Sequence, residues 1–370
     1  MKGDNSARRQ HKGDGSFNQD ANKNNNSLAP KVIDCFLFFQ ELDLLEIRMR
    51  YLKDIVDTFI IVEACQTFTG KSKEFLFEIN QDRYEEYKGK IKYFKVEDRH
   101  TSYESVLDYL GKAPKSKATS WAKRCMEAHQ HYDKTKLYYV LDTYHRECIH
   151  MALEEICAKD IDTVMISDLD EIPSLHAIHE AQNLNSEKPL VLKQKEFSYF
   201  LDYYKNSNWL GTVIGKYGKI RDCSLNELRI DSKLTRAVVN CTPLETGGYH
   251  FTTCGSIQEI KQKISSWAHQ EFNNRYVTDT LEEKIKTGQD PFSRNSGTIF
   301  KRVSIDDESF YDKEMKHVIK DFPNLLSSSE IEVVKSSILG DLLSKIRLYL
   351  PRLTDKVKTL ICSIKVGIRL

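Results

Sequence analysis

One stretch constrains the chain more than any other: Asp162-Thr163-Val164-Met165-Ile166-Ser167-Asp168-Leu169-Asp170-Glu171-Ile172-Pro173. The apolar run Val164 to Ile166 predicts a buried strand, and Pro173, with no N–H for a ladder, predicts its stop. Asp168, Asp170 and Glu171 put three carboxylates at its end. In extended chain, positions i and i+2 share a face, so Asp168 and Asp170 point one way and Leu169 turns back to the core. Two carboxylates converging just past the carboxyl end of a buried strand repel each other. A divalent cation relieves that repulsion and leaves positions open for phosphate oxygens, at the edge where open α/β sheets hold ligands. The competing reading is a solvated acidic turn.

With 370 residues, the chain can form one large α/β domain with appendages, or two domains. A net charge of +1 gives no global field for a nucleic-acid partner. Nine cysteines without a C-x-x-C pair fit neither a structural zinc site nor a disulfide framework, and suggest a reducing compartment. There is no apolar run of about 18 residues and no signal-peptide core, so a cytoplasmic protein is expected, with at most a peripheral hold on a membrane. The Asn240-Cys241-Thr242 sequon is then incidental.

Residues 1–29 are polar and predicted to be disordered, because they cannot bury enough surface to offset ordering. Val32 to Phe39 reads as a first buried strand. Asp43 with Glu46 suggests a capping box for a helix reaching Leu52. Thr58 to Glu63 reads as a second strand, completing a βαβ unit, and Ile91 to Val96 as a third. Gly70 permits a tight turn. A helical pattern from Trp121 to Lys159 carries Arg146, which either forms a surface ion pair with Glu147 or Glu154 or reaches a phosphate. The strand Pro189 to Leu192 leads into Phe197, Tyr199, Phe200, Tyr203, Tyr204 and Trp209, which are core, cross-strand pairs or platforms for sugar rings or bases. Gly247 and Gly248 let backbones approach closely, and His250 beyond them is a structural group or a ligand. Ser256 and Glu259 form a capping box for a helix that ends near His269 and Glu271. The chain thus divides into residues 1–29, a domain over 30–330, and a basic amphipathic helical tail over 331–370. The tail either docks on the domain or meets an anionic membrane surface through residues 340–370.

Several segments together resemble glycosyltransferase family 17, the family of β-1,4-mannosyl-glycoprotein β-1,4-N-acetylglucosaminyltransferase. They are Phe38 to Arg48, Val62-Glu63 with Thr67 to Lys71, Ser167 to Pro173, Gly247 to Phe251, and Trp267 to Glu271. The resemblance runs over roughly residues 32 to 325. It implies an α/β GT-A fold, a mixed and mainly parallel sheet flanked by helices. It implies inverting transfer of a sugar such as N-acetylglucosamine from a UDP-sugar donor, with Mn²⁺ or Mg²⁺ as cofactor. By the same resemblance Asp168 and Asp170 hold the metal, His250 is a further ligand, and Glu63 and Arg146 face the nucleotide. Asp170 is thereby also catalytic.

Inversion needs a carboxylate to accept the acceptor's proton. Glu271, Glu245, Asp202 and Glu171 are candidates, with Glu271 preferred for its place beside His269. Two features depart from the family pattern: the Golgi anchor of its eukaryotic members is missing, and Tyr249 stands where a Trp is associated with the motif. The missing anchor argues against protein N-glycan substrates and fits a cytoplasmic enzyme building a bacterial or viral glycan. The basic tail would bring that enzyme to a glycan or lipid-linked glycan acceptor. Two rivals remain. A haloacid-dehalogenase-like phosphohydrolase would want Thr or Val where Ile172 stands, and its motif near the domain start. A non-catalytic glycan-binding protein on a transferase scaffold fits poorly with an intact acidic triplet.

Overall fold

A computed structural model describes residues 29–346 except His131, Asn185, residues 235–239, Ser293 and Asn295. The predicted disorder of residues 1–28 and the tail beyond Ile346 lie outside the described residues.

The apolar runs form the strands that their composition predicts. β1 (Val32–Leu37), β2 (Thr58–Ala64), β3 (Ile91–Val96) and β4 (Thr163–Asp168) pair in the order 3-2-1-4, all parallel. β5 (Glu171–Pro173), β6 (Leu190–Ser198), β7 (Tyr203–Lys216), β8 (Thr242–Leu244), β9 (Gly248–Thr252) and β10 (Phe300–Arg302) complete the sheet. β7 joins the halves by running antiparallel to both β4 and β6. The result is a mixed α/β sheet, parallel in its first half and flanked by helices.

Strand parity sorts the side chains onto two faces. Val32, Asp34 and Phe36 of β1 face the helix Leu42–Leu52 and its core, while Ile33 and Cys35 face the long helix Leu137–Glu155. On β4 the same alternation sends Met165 and Ser167 to the first side, and Val164, Ile166 and Asp168 to the second. A third core of Tyr199, Ile260, Ile264, Phe292 and Phe300 lies under the helix Ile257–Ser266.

Four expectations need correction. Pro173 does not stop β4, which ends at Asp168; it closes β5, an edge strand, where a missing N–H is tolerated. Asp43 does not cap the first helix, whose N-cap is Glu41; Asp43 and Glu46 instead hold Arg83. The 121–159 pattern is two helices, Lys117–Ala128 and Leu137–Glu155. Glu63, expected to face the nucleotide, is buried on the other side of β2, accepting from Leu76 N and Phe77 N. The capping box of Ser256 and Glu259 is present as predicted. Among the described residues, no helix is long and apolar enough to cross a membrane.

Candidate active site

The turn after β4 takes its shape from an arginine on the first helix. Arg48 is fully buried; its Nε and Nη2 donate to Asp34 Oδ2 and Oδ1 at 2.7 and 2.6 Å. Its Nη1 donates to the carbonyls of Asp168, Leu169 and Glu171 at 3.1, 3.0 and 2.8 Å, and Nη2 also reaches Ser167 Oγ. One guanidinium thus satisfies three backbone acceptors that a sharp turn would leave buried and unpaired. The strand pair β5–β9 then sets Glu171 opposite His250. That pairing is close because Gly248 carries no side chain, while bare Gly247 lets the chain lie against the Lys193 backbone of β6. A Cβ on Gly248, whose φ is +109°, would lie 2.4 Å from the Ile172 carbonyl oxygen. Parity on β9 turns His250 toward the site and Tyr249 into the core, where its hydroxyl meets Asp312. The Trp-to-Tyr departure is therefore a core substitution.

A cavity of about 740 Å³ opens at the carboxyl ends of β1, β2 and β4, the edge where a parallel sheet presents ligands. Asp168, Asp170, His250 and Arg146 all line it, so four of the residues named from sequence are brought together. Asp168 is gripped by two arginines: Nη1 of Arg146 at 2.9 Å and Nη2 of Arg229 at 2.6 Å. Arg229 also spans both oxygens of buried Glu171, at 2.5 and 2.9 Å. Asp170 accepts from Lys263 Nζ at 2.8 Å, and its Oδ1 lies 3.7 Å from His250 Nε2. Lys263 also binds Glu41 at 2.8 Å. Burial pushes the Glu41 carboxyl up, but the Lys263 ammonium beside it outweighs this and leaves it below the usual range. Trp209 stacks on His250 with centroids 4.6 Å apart and donates to Glu171 Oε1 at 2.7 Å.

Sequence reasoning missed Arg229, Lys263 and Glu41. Arg229 and Lys263 sit on helices far along the chain, and neither belongs to a local pattern that marks it. Glu63 is a correction: it does not face the cavity. Parity puts Val62 and Ala64 there and turns Glu63 to the opposite side of β2. There it is fully buried, accepting from Leu76 N, Phe77 N, Tyr93 Oη and Lys73 Nζ. Its carboxylate thus serves the start of a helical turn.

None of the four carboxylates named as candidate bases is among the lining residues. Glu245 is exposed beside Lys193, Asp202 is buried under Arg302, and Glu171 is held by Arg229. Glu271 stands behind His269, which does line the cavity, with Oε1 3.3 Å from His269 Nδ1.

Several lining groups are buried yet lack a hydrogen-bond partner among the described residues: His145 Nε2, Arg146 Nε, His250 Nδ1 and Trp267 Nε1. Burial holds the His145 imidazole at a pKa of about 3, so it stays neutral. Among the described residues, no group of three or more His, Cys, Asp or Glu side chains is arranged for a metal. Asp170 and His250 nevertheless offer a hard oxygen and a nitrogen on one wall. Mg²⁺ is commonly held through one or two carboxylates with substrate phosphates completing its shell; Asp170 supplies such a carboxylate, with the His250 nitrogen 3.7 Å from it.

The family comparison bears out the family resemblance seen in the sequence. The glycosyltransferase family 17 model matches residues 18–110 and 115–294. No curated protein matches the chain. Among solved structures, the crystal structure of HddC from Yersinia pseudotuberculosis is 8% identical, covering 61% of this chain and 91% of its own, with a TM-score of 0.28. Matched across most of its length by the family model, this chain belongs to glycosyltransferase family 17.

Proposed function

We propose that the chain is a metal-dependent, inverting glycosyltransferase of GT-A type, moving a sugar such as N-acetylglucosamine from a UDP-sugar to a glycan or lipid-linked glycan. The observation that carries this reading is the set of buried, unpartnered polar atoms on residues that line one cavity together with Asp168 and Asp170. A buried polar atom without a partner costs on the order of 1–3 kcal/mol, and a bound donor would relieve several such costs at once.

Asp170 and His250 would hold Mn²⁺ or Mg²⁺. Bound there, the ion would supply Lewis-acid stabilisation of charge on the departing diphosphate. Arg146 adds a fixed positive charge to the lining, with its Nε buried and without a partner among the described residues. Arg229 holds the Asp168 carboxylate in place. Neutral His145 with Phe68, whose rings lie 5.6 Å apart, forms an uncharged wall that suits a nucleobase.

The acceptor oxygen attacks the anomeric carbon while the carbon–oxygen bond to phosphate breaks, so UDP leaves and the centre inverts. The acceptor's proton passes to His269, with Glu271 orienting that imidazole and stabilising its charge. Glu271 thus acts through its neighbour.

The direct test is UDP release from a panel of UDP-sugars, with and without Mn²⁺. Metal-dependent UDP release supports the reading. Metal-dependent phosphate release from a simple phosphomonoester, without UDP release, would favour the phosphohydrolase. Glycan binding without turnover of any donor would favour the binding protein.

A further inference from the structure

An amphipathic helix in a globular protein normally turns its apolar stripe to the core. The helix over residues 338–346 does the reverse. Its polar edge meets the domain: Asp341 Oδ1 accepts from the Ser296 N–H and Oγ at 2.8 and 2.7 Å, and Ser344 is buried. Its apolar stripe faces outward, with Ile338 91%, Leu339 66%, Leu342 54%, Leu343 42% and Ile346 46% exposed. Val333 and Val334 just before it are exposed too. Elsewhere among the described residues, exposed large apolar side chains occur singly, at Ile79, Tyr109, Ile161 and Leu184. Scattered single residues need no explanation, whereas a contiguous stripe does.

The stripe is also fixed in place. Glu332 N donates to the Lys286 carbonyl at 3.0 Å, and Thr298 N donates to the Val334 carbonyl at 3.0 Å. Ile331 packs into the same core as Trp267, which lines the cavity. Charge identifies the partner. From Lys345 to the last residue the sequence holds seven Lys and Arg against Asp355, in a chain whose net charge is +1.

We propose that this outward stripe seats the protein on an anionic lipid bilayer. Apolar side chains on one face with cations beside them are what the headgroup boundary of such a surface accepts. A second copy of this chain would present the same basic run and meet repulsion.

The test uses the full chain and flotation with two kinds of vesicle, phosphatidylcholine alone and phosphatidylcholine mixed with phosphatidylglycerol. Binding is expected to the mixed vesicles only, and high salt should release it. The double variant Ile338→Ser with Leu342→Ser should bind roughly tenfold or more weakly, while its UDP release without vesicles stays at the wild-type level. Equal flotation of wild type and variant, or none with either vesicle, would overturn the proposal. A dimer seen by light scattering and lost in the variant would assign the stripe to a second copy instead. Slow hydrogen exchange over 338–346 without vesicles would assign it to the chain's own residues 347–370. Because the readout is binding, a failure here is distinct from a failure of the transferase reading.

Discussion

Two arginines approach the end of β4 from opposite faces of the sheet, and they differ in how completely they are used. Arg48, on the side of Ser167, spends its donors on Asp34, Ser167 Oγ and three carbonyls, and it is wholly buried. Arg146, on the side of Asp168, touches Asp142 and Asp168 but leaves its Nε without a partner among the described residues. The same residue type is scaffold on one face and unfinished on the other. A fully satisfied buried ion is tied to the fold, whereas one with donors to spare on a cavity wall is available for a ligand.

The contrast can be broken first from the scaffold side. Arg48→Met should leave Asp34 charged and buried, costing about 3–5 kcal/mol; thermal or urea unfolding measures it, and a loss under 1 kcal/mol would refute the clamp. Next comes the cavity side. Asp170→Asn, or a chelator on the wild type, should cut UDP release about 100- to 1,000-fold with little change in melting temperature. Unaltered turnover would end the metal reading. Arg146→Lys should raise KM for the donor about tenfold, because an ammonium lacks the guanidinium's remaining donor, and steady-state kinetics would show it. The smallest effect concerns His145. Its folded pKa of about 3 lies below the ordinary value of about 6.5, so the unfolded chain binds the extra proton and stability falls as pH drops through that window. Between pH 8 and pH 6 the loss should be about 1 kcal/mol, and His145→Gln should flatten that part of the stability–pH curve.

The parts of the site legible in the sequence were those where the signal is local. Asp168 and Asp170 follow a visible apolar run, His250 follows a visible glycine pair, and the parallel strands announce themselves by composition. Glu63 misled because ending a strand on a carboxylate says nothing about which face it leaves from; the register of β2 decides that. Arg229 and Lys263 were invisible for another reason. Each ordinary basic residue on an ordinary helix gains its role only when the fold brings it more than fifty residues back to a carboxylate. The candidate bases failed in the same way, since nearness in sequence to His269 or to the acidic triplet did not place their own carboxylates on the cavity wall.

The bare Gly248 contact has a further consequence. Because a Cβ on Gly248 would lie 2.4 Å from the Ile172 carbonyl oxygen, the imidazole-bearing strand and the carboxylate-bearing turn have no room for a side chain between them there. Substitution at that point can only push them apart. Gly248→Ala would therefore act as a shim between them, widening the gap between His250 and Asp170.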